Sequence, residues 1–155
     1  MEVLERFTRA WIGSSRFSND LAEGEFGNGP AVLRPVKRDD QNGIDERSFR
    51  FFCDVLSFVE GIAPEAKTTR IIEQLVGAAG SIGSNREEAL GASSRKEFIR
   101  YNEIALRSAN ETARWLRVCA ARRIGSHEKC VAVLDECRQL ARILGQIVIT
   151  SKGRT

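Results

Sequence analysis

Few side chains in this 155-residue chain are equipped for chemistry. Cys53, Cys119, Cys130, Cys137 and a single histidine, His127, are the candidates for metal binding or nucleophilic catalysis. No two cysteines have C-x-x-C spacing, so zinc-ribbon and thioredoxin-type motifs are absent. On a helix, Cys130 and Cys137 would share a face about two turns apart, too far for a direct disulfide. Four small buried apolar residues in a reducing cytoplasm is the simpler account. His127, with Cys130 three residues on, could seed a metal site, but no metal or other cofactor is expected. A Ser-His-Asp or Cys-His arrangement would need His127 as its base, and no oriented nucleophile lies beside it. Glu88 and Glu111 could act as a carboxylate pair; hydrogen bonding or ion pairing is their other reading. The run GAAGSIG is neither G-x-G-x-x-G nor a Walker motif with its lysine. These patterns predict a protein that is not an enzyme.

The basic residues are more informative. The formal net charge is +3, and it is unevenly spread. Residues 92–125 hold eight basic against three acidic residues, whereas residues 44–91 hold five against eight. At 100° per residue, Lys96, Arg100, Arg107 and Arg114 fall within about 40° of one another on a helix. Such a stripe could track phosphates, with strong salt dependence. Alternatively it is a solvated face, in which Glu103 pairs with Arg107, and Glu111 with Arg107 or Arg114, at helical spacing. No aromatics interleave with these arginines to stack on single-stranded bases.

The elements that must position these residues read as four helices. The first covers about 45–61. Phe51, Val55, Phe58 and Ile62 share one edge of it, and Phe49, Phe52, Leu56 and Val59 lie toward the other, together spanning roughly 180°. A helix that faces one core needs an apolar stripe of about 100°. The excess predicts a second buried contact, most simply between subunits. The second helix starts near Glu65, and its seam is Ile71, Leu75, Ala78, Ile82, Asn85 and Ala89, with Asn85 in a core slot. Gly77, Gly80 and Gly83 weaken that helix, and close helix approach would account for them.

Ser94 and Glu97 form a capping box at the start of the third helix. Its seam is Phe98, Asn102, Ala105, Ala109, Thr112, Leu116 and Cys119, and Gly125 is expected to end it as a left-handed cap. The fourth helix begins at Ser126, with Cys130, Leu134, Cys137, Ala141, Leu144 and Val148 as its seam. Short connections favour antiparallel neighbours, so the expected fold is an all-α, up-down-up-down four-helix bundle. Di-metal chemistry in such bundles uses paired Glu-x-x-His motifs, and the chain contains none.

The bundle domain is expected over 44–152, followed by a tail at 153–155. Residues 1–43 are rich in Gly, Asp and Asn and lack a sustained period, which predicts a poorly ordered extension. Within it, Val3, Leu4, Phe7 and Trp11 could form a turn or two of amphipathic helix that docks on a partner or on the domain. No apolar run approaches the roughly 18–20 residues of a membrane helix. The N-terminus carries Glu2, Glu5 and Arg6 where a signal peptide needs an unbroken apolar stretch. A cytoplasmic protein without membrane contact is expected.

The runs SIGSNREEALGASSRKEF and ANETARWL resemble the four-helix-bundle proteins of the 23S rRNA intervening-sequence family. The matching positions are Ser81, Ile82, Gly83, Asn85, Glu88, Ala89, Ser94, Lys96 and Phe98, then Ala109, Glu111, Thr112, Trp115 and Leu116. DECRQLARILGQIVITSK is similar to the family's last helix and RSFRFFCDVLSF to its first, so the resemblance covers about 44–152. It implies a small cytoplasmic bundle that assembles into a homo-oligomeric ring, typically a pentamer, with no established enzymatic activity. Related accessory proteins of diversity-generating retroelements form basic pentamers that contact nucleic acid and a reverse transcriptase. Two functional readings follow. One is a ring-forming accessory protein binding RNA or DNA through Lys96, Arg100, Arg107 and Arg114, with Asn85, Glu88, Glu111 and Trp115 holding the fold or its interfaces. The other is a structural adaptor that recruits another protein and does not bind nucleic acid.

Overall fold

The structure, a computed structural model, describes residues 43–153. They form four helices: α1, Gly43–Val59; α2, Ala66–Leu90; α3, Arg95–Arg122; and α4, His127–Gly153. Among the described residues there is no strand. The expected N-terminal extension and the last two residues lie outside this range, and the bundle begins one residue before its expected start.

The helix ends follow from local chemistry, with two differences from expectation. α2 is capped by Glu65, whose backbone N–H donates to Thr68 Oγ1 at 3.0 Å. At α3 the Ser94 Oγ accepts from the Glu97 N–H at 3.2 Å, as a capping residue should. The Glu97 carboxylate reaches one residue further back than in a standard box, accepting from the N–H and hydroxyl of Ser93 at 2.9 and 2.8 Å. α3 ends at Arg122, and Arg123 itself takes the left-handed cap conformation, with φ 55° and ψ 43°. Gly125 is a second left-handed residue, φ +74°. Its lack of a side chain serves packing as well: a Cβ there would lie 2.9 Å from Phe58 Cε2 and 3.0 Å from Ile62 Cγ1. Ser126 Oγ accepts from the Lys129 N–H at 3.4 Å at the start of α4.

The core lies between all four helices. Phe51, Val55 and Phe58 come from α1, Leu75, Ala79 and Ile82 from α2, Ala105, Ala109 and Leu116 from α3, and Leu140 and Leu144 from α4, all essentially sealed from solvent. Cys119, Cys130 and Cys137 share that core as free thiols, but Cys53, expected to be buried with them, is exposed on the outer side of α1. The Cys130 thiol donates to the Leu116 carbonyl at 3.3 Å and the Cys137 thiol to that of Ala109 at 3.2 Å. Small residues at these positions bring α3 and α4 close enough for a side chain of one to reach the backbone of the other. Each helix packs on two others in a closed cycle: α1 on α2, α2 on α3, α3 on α4 and α4 on α1.

Two packing expectations need correction. The broad apolar arc of α1 is absorbed largely by its own chain, because α1 sits between α2 and α4. Phe51, Val55, Phe58 and Val59 are buried, and Phe52, Leu56 and Ile62 pack half-buried against the core. Phe49 alone stands out, 59% exposed, so the arc does not by itself demand a second subunit. Of the three regularly spaced glycines, only Gly80 meets a close neighbour: the Phe52 ring would be 3.4 Å from its Cβ. Gly77 and Gly83 have nothing within 4 Å.

Asn85 also departs from its expected core slot. It is half-buried, and its Nδ2 donates to the Ser81 carbonyl at 2.8 Å and the Ser81 hydroxyl at 3.0 Å. Its neighbour Arg86 is the residue turned inward, 4% exposed. The Arg86 guanidinium donates to both Asp45 carboxylate oxygens, at 2.9 and 3.2 Å, and to Oδ1 of the fully buried Asn102 at 2.5 Å. Asn102 Nδ2 donates in turn to the Phe98 carbonyl at 2.8 Å. This cluster ties the start of α1 to α2 and α3. A second tie holds α1 to α4, where Arg47 makes a fork with Glu136 at 2.5 and 2.9 Å and reaches Gln139 at 2.8 Å. The charge of Glu136 and its hydrogen bond raise the Arg47 pKa.

Candidate nucleic-acid interface

α3 is one unbroken rod of 28 residues whose inner face is the seam of Asn102, Ala105, Ala109, Thr112, Leu116 and Cys119. Its outer face therefore carries Lys96, Arg100, Arg107 and Arg114, and all four are exposed. From Lys96 to Arg114 the line runs about 27 Å at 1.5 Å per residue. The buried seam fixes the rotation of the rod and so keeps these four on the side away from the core.

The acids on this helix do not pair as expected from helical spacing. Glu103 turns to α4 and binds Lys152 Nζ at 2.6 Å. That hydrogen bond and charge hold the Glu103 carboxyl below the ordinary carboxylate range, with Arg107 adding a smaller Coulombic contribution. Glu111 accepts from the Trp115 indole N–H at 3.5 Å. Among the described residues, none of Lys96, Arg100, Arg107 and Arg114 is in an ion pair. The stripe is thus four cations without a direct ion-pair partner among the described residues, Arg100 and Arg107 feeling only the longer-range charge of Glu97 and Glu103.

One end of the stripe meets a shallow open groove between α3 and α4, lined by Arg95, Lys96, Ile99, Arg100, Glu103 and Lys152. Arg95 donates to the Ser151 carbonyl through two guanidinium nitrogens, fixing the last turn of α4. Lys152 is engaged with Glu103. The ends of the two helices are pinned together there, leaving Lys96 and Arg100 at the rim.

The four residues singled out for the fold or its interfaces fall on the α2 and α3 surface. Glu88 and Glu111 are exposed, and Trp115 is half-buried against the core. Asn85 makes only the local contacts to Ser81 described above. Sequence reading missed Arg86 and Lys152. Arg86 was legible in principle, since Ile82, Arg86 and Ala89 step by four and three as well as Ile82, Asn85 and Ala89 step by three and four. Lys152 gave no local signal, because its partner lies on another helix.

The remaining reactive groups do not converge on a site. His127 is exposed at the start of α4. Burial pushes the Cys119 thiol up to about 11, with the charge of Cys130 adding to the shift, and the Cys137 thiol up to about 12. A thiolate is the reactive form, so both are poor nucleophiles near neutrality. Among the described residues no group of three or more His, Cys, Asp or Glu could hold a metal ion. No helix among them is long and apolar enough to cross a membrane.

Comparison with known proteins agrees with this architecture. The profile of the 23S rRNA-intervening sequence protein family matches residues 41–146. A crystal structure of a protein of unknown function from the S23 ribosomal protein family of Bacteroides thetaiotaomicron is similar, with a TM-score of 0.64 and 26% identity. That match covers 68% of this chain and 98% of the other. No curated protein matches the chain. The profile match takes in most of all four helices and more than half of the sequence, and the chain belongs to the 23S rRNA-intervening sequence protein family.

Proposed function

We propose that the protein is a non-enzymatic accessory module of the cytoplasm. Its domain is an antiparallel up-down-up-down bundle that assembles into a homo-oligomeric ring, a pentamer by family resemblance, and binds RNA or DNA through the α3 stripe. The antiparallel reading is supported by the order of contacts between neighbours. Arg86 meets Asn102 while Ser81 meets Ser108, and Cys130 meets Leu116 while Cys137 meets Ala109. One observation carries the binding reading: Lys96, Arg100, Arg107 and Arg114 are exposed and free of ion pairs among the described residues. The competing adaptor reading would draw on exposed apolar side chains such as Phe49, Leu90 and Ile149 for a protein contact.

Titration of labelled RNA and duplex DNA at two salt concentrations separates the two. Four neutralised phosphates give a salt slope of about −3.6, so a fourfold rise in salt should weaken binding about a hundredfold. The triple variant R100E/R107E/R114E should abolish binding while leaving the circular dichroism spectrum intact, because all three side chains lie outside the core. Affinity unchanged by charge reversal would exclude the stripe, and absence of salt-sensitive binding to either probe would leave the adaptor. Light scattering after size exclusion should give several times the 17.3 kDa chain mass; a monomer at micromolar concentration would remove the ring.

A further inference from the structure

We infer that the stripe's ligand is double-stranded: the α3 face reads the backbone of a nucleic-acid duplex, without base sequence and in preference to a single strand. The inference rests on the nucleic-acid reading above and narrows it. Single strands are gripped by a basic channel combined with aromatic faces on which successive bases stack, a sequence-tolerant contribution of about 1–3 kcal/mol per base. Among the described residues this face has no such platform. Between Lys96 and Arg114 the other exposed side chains are Asn110 and Glu111, and Glu103 is turned to Lys152 on α4. The nearest aromatics, Tyr101 and Trp115, are half-buried, and the Trp115 N–H is turned onto Glu111. A single strand laid along the stripe would therefore be ordered over about 27 Å with no aromatic of the described residues stacked against its bases.

A duplex fits the same face on two counts. It is stiff over far more than 27 Å, so it loses little freedom on meeting a rigid line of charges. It also presents one phosphate per roughly 1.7 Å of axis, twice the linear density of one strand. The rod holding the cations cannot flex to follow a disordered strand, because its inner seam is locked in the core and its first turn is pinned to α4 through Arg95 and Lys152. Base edges stay out of reach. A lone α-helix of about 10–12 Å diameter fits the major groove of about 12 Å, but α3 has α2 and α4 packed on its flanks. Only a ridge is offered, and a ridge meets phosphates, which position a protein without reading sequence.

The test uses the full chain with fluorescein-labelled probes of roughly 20 nucleotides, longer than the stripe: one single strand, its DNA duplex, the RNA duplex of the same sequence, and a scrambled duplex. Anisotropy at one salt concentration should show at least one duplex bound about tenfold or more tighter than the single strand, with scrambling neutral. The two duplex arms tell DNA from RNA. R107A should make the salt slope for the duplex shallower by about one. A single strand bound as tightly as both duplexes, or a strong response to scrambling, overturns the inference and leaves the stripe as a nucleic-acid site. No binding to any probe removes the stripe's role itself and the inference with it.

Discussion

Replacing Arg86 with methionine should be among the most damaging changes on α2, for a reason that can be apportioned. The guanidinium serves two partners in different surroundings. Asp45 is 35% exposed at its side chain, so water can replace a lost pair there, and the loss is about 1 kcal/mol or less. Asn102 is fully buried, and among the described residues Arg86 alone donates to its Oδ1. Leaving that oxygen unpaired costs about 1–3 kcal/mol. R86M should therefore lose about 1–4 kcal/mol, a large part of the roughly 5–15 kcal/mol that holds a typical domain. Urea unfolding followed by circular dichroism at fixed protein concentration should show the midpoint falling by about 0.5–2 M, with an unchanged slope. D45N should lose far less. The double variant R86M/N102L, which removes both the donor and the stranded acceptor, should recover a substantial part of the loss, giving a coupling of about 1–3 kcal/mol. A loss under about 1 kcal/mol for R86M, or a D45N as damaging as R86M, would refute the assignment of the cost to the stranded amide.

Two further outcomes test the backbone and the helix caps. Gly83→Ala, into open space on α2, should stabilise by up to about 1 kcal/mol in thermal unfolding, whereas Gly125→Ala should destabilise by about 1–3 kcal/mol, since it forces a side chain into a left-handed residue against Phe58. The Glu97 carboxyl is held low first by hydrogen bonds from Ser93, so its folded pKa lies below its unfolded one; its contribution is complete above the ordinary carboxylate range and is lost as pH falls through the lowered value. Comparing the acid limb of stability for wild type and Glu97→Gln should show that part of the slope flattened in the variant.

Much of the architecture was legible because helices with alternating steps of three and four apolar residues have one way to bury them. The seams of α3 and α4 are the clearest cases, and the structure buries Ala105, Ala109, Leu116, Cys130, Cys137 and Leu144 as their spacing predicts. Where the pattern admits two solutions, it misleads. Positions 85 and 86 fit the α2 seam about equally well; the deciding factor, Asp45 and Asn102 waiting on two other helices, is invisible to periodicity. The apolar arc of α1 was misjudged because a helix wheel does not show that one helix can nest between two neighbours. At the stripe, the four cations and their common face were readable from spacing. Their freedom from ion pairs was not, since it depends on Lys152 drawing Glu103 away from a distance of 49 positions.

The seat of α1 has a bearing on how the chain is made. Arg47 waits for Glu136 and Gln139, which lie 89 and 92 residues downstream, and Phe58 closes against Gly125 in the turn before the last helix. At about 5–20 residues per second, roughly 4–18 s separate the emergence of this phenylalanine-rich segment from that of its final partners. During synthesis the first of the four bundle helices to emerge is thus the last to be fully enclosed. The interval calls for either early shelter against α2 or a chaperone that holds ring-bearing segments.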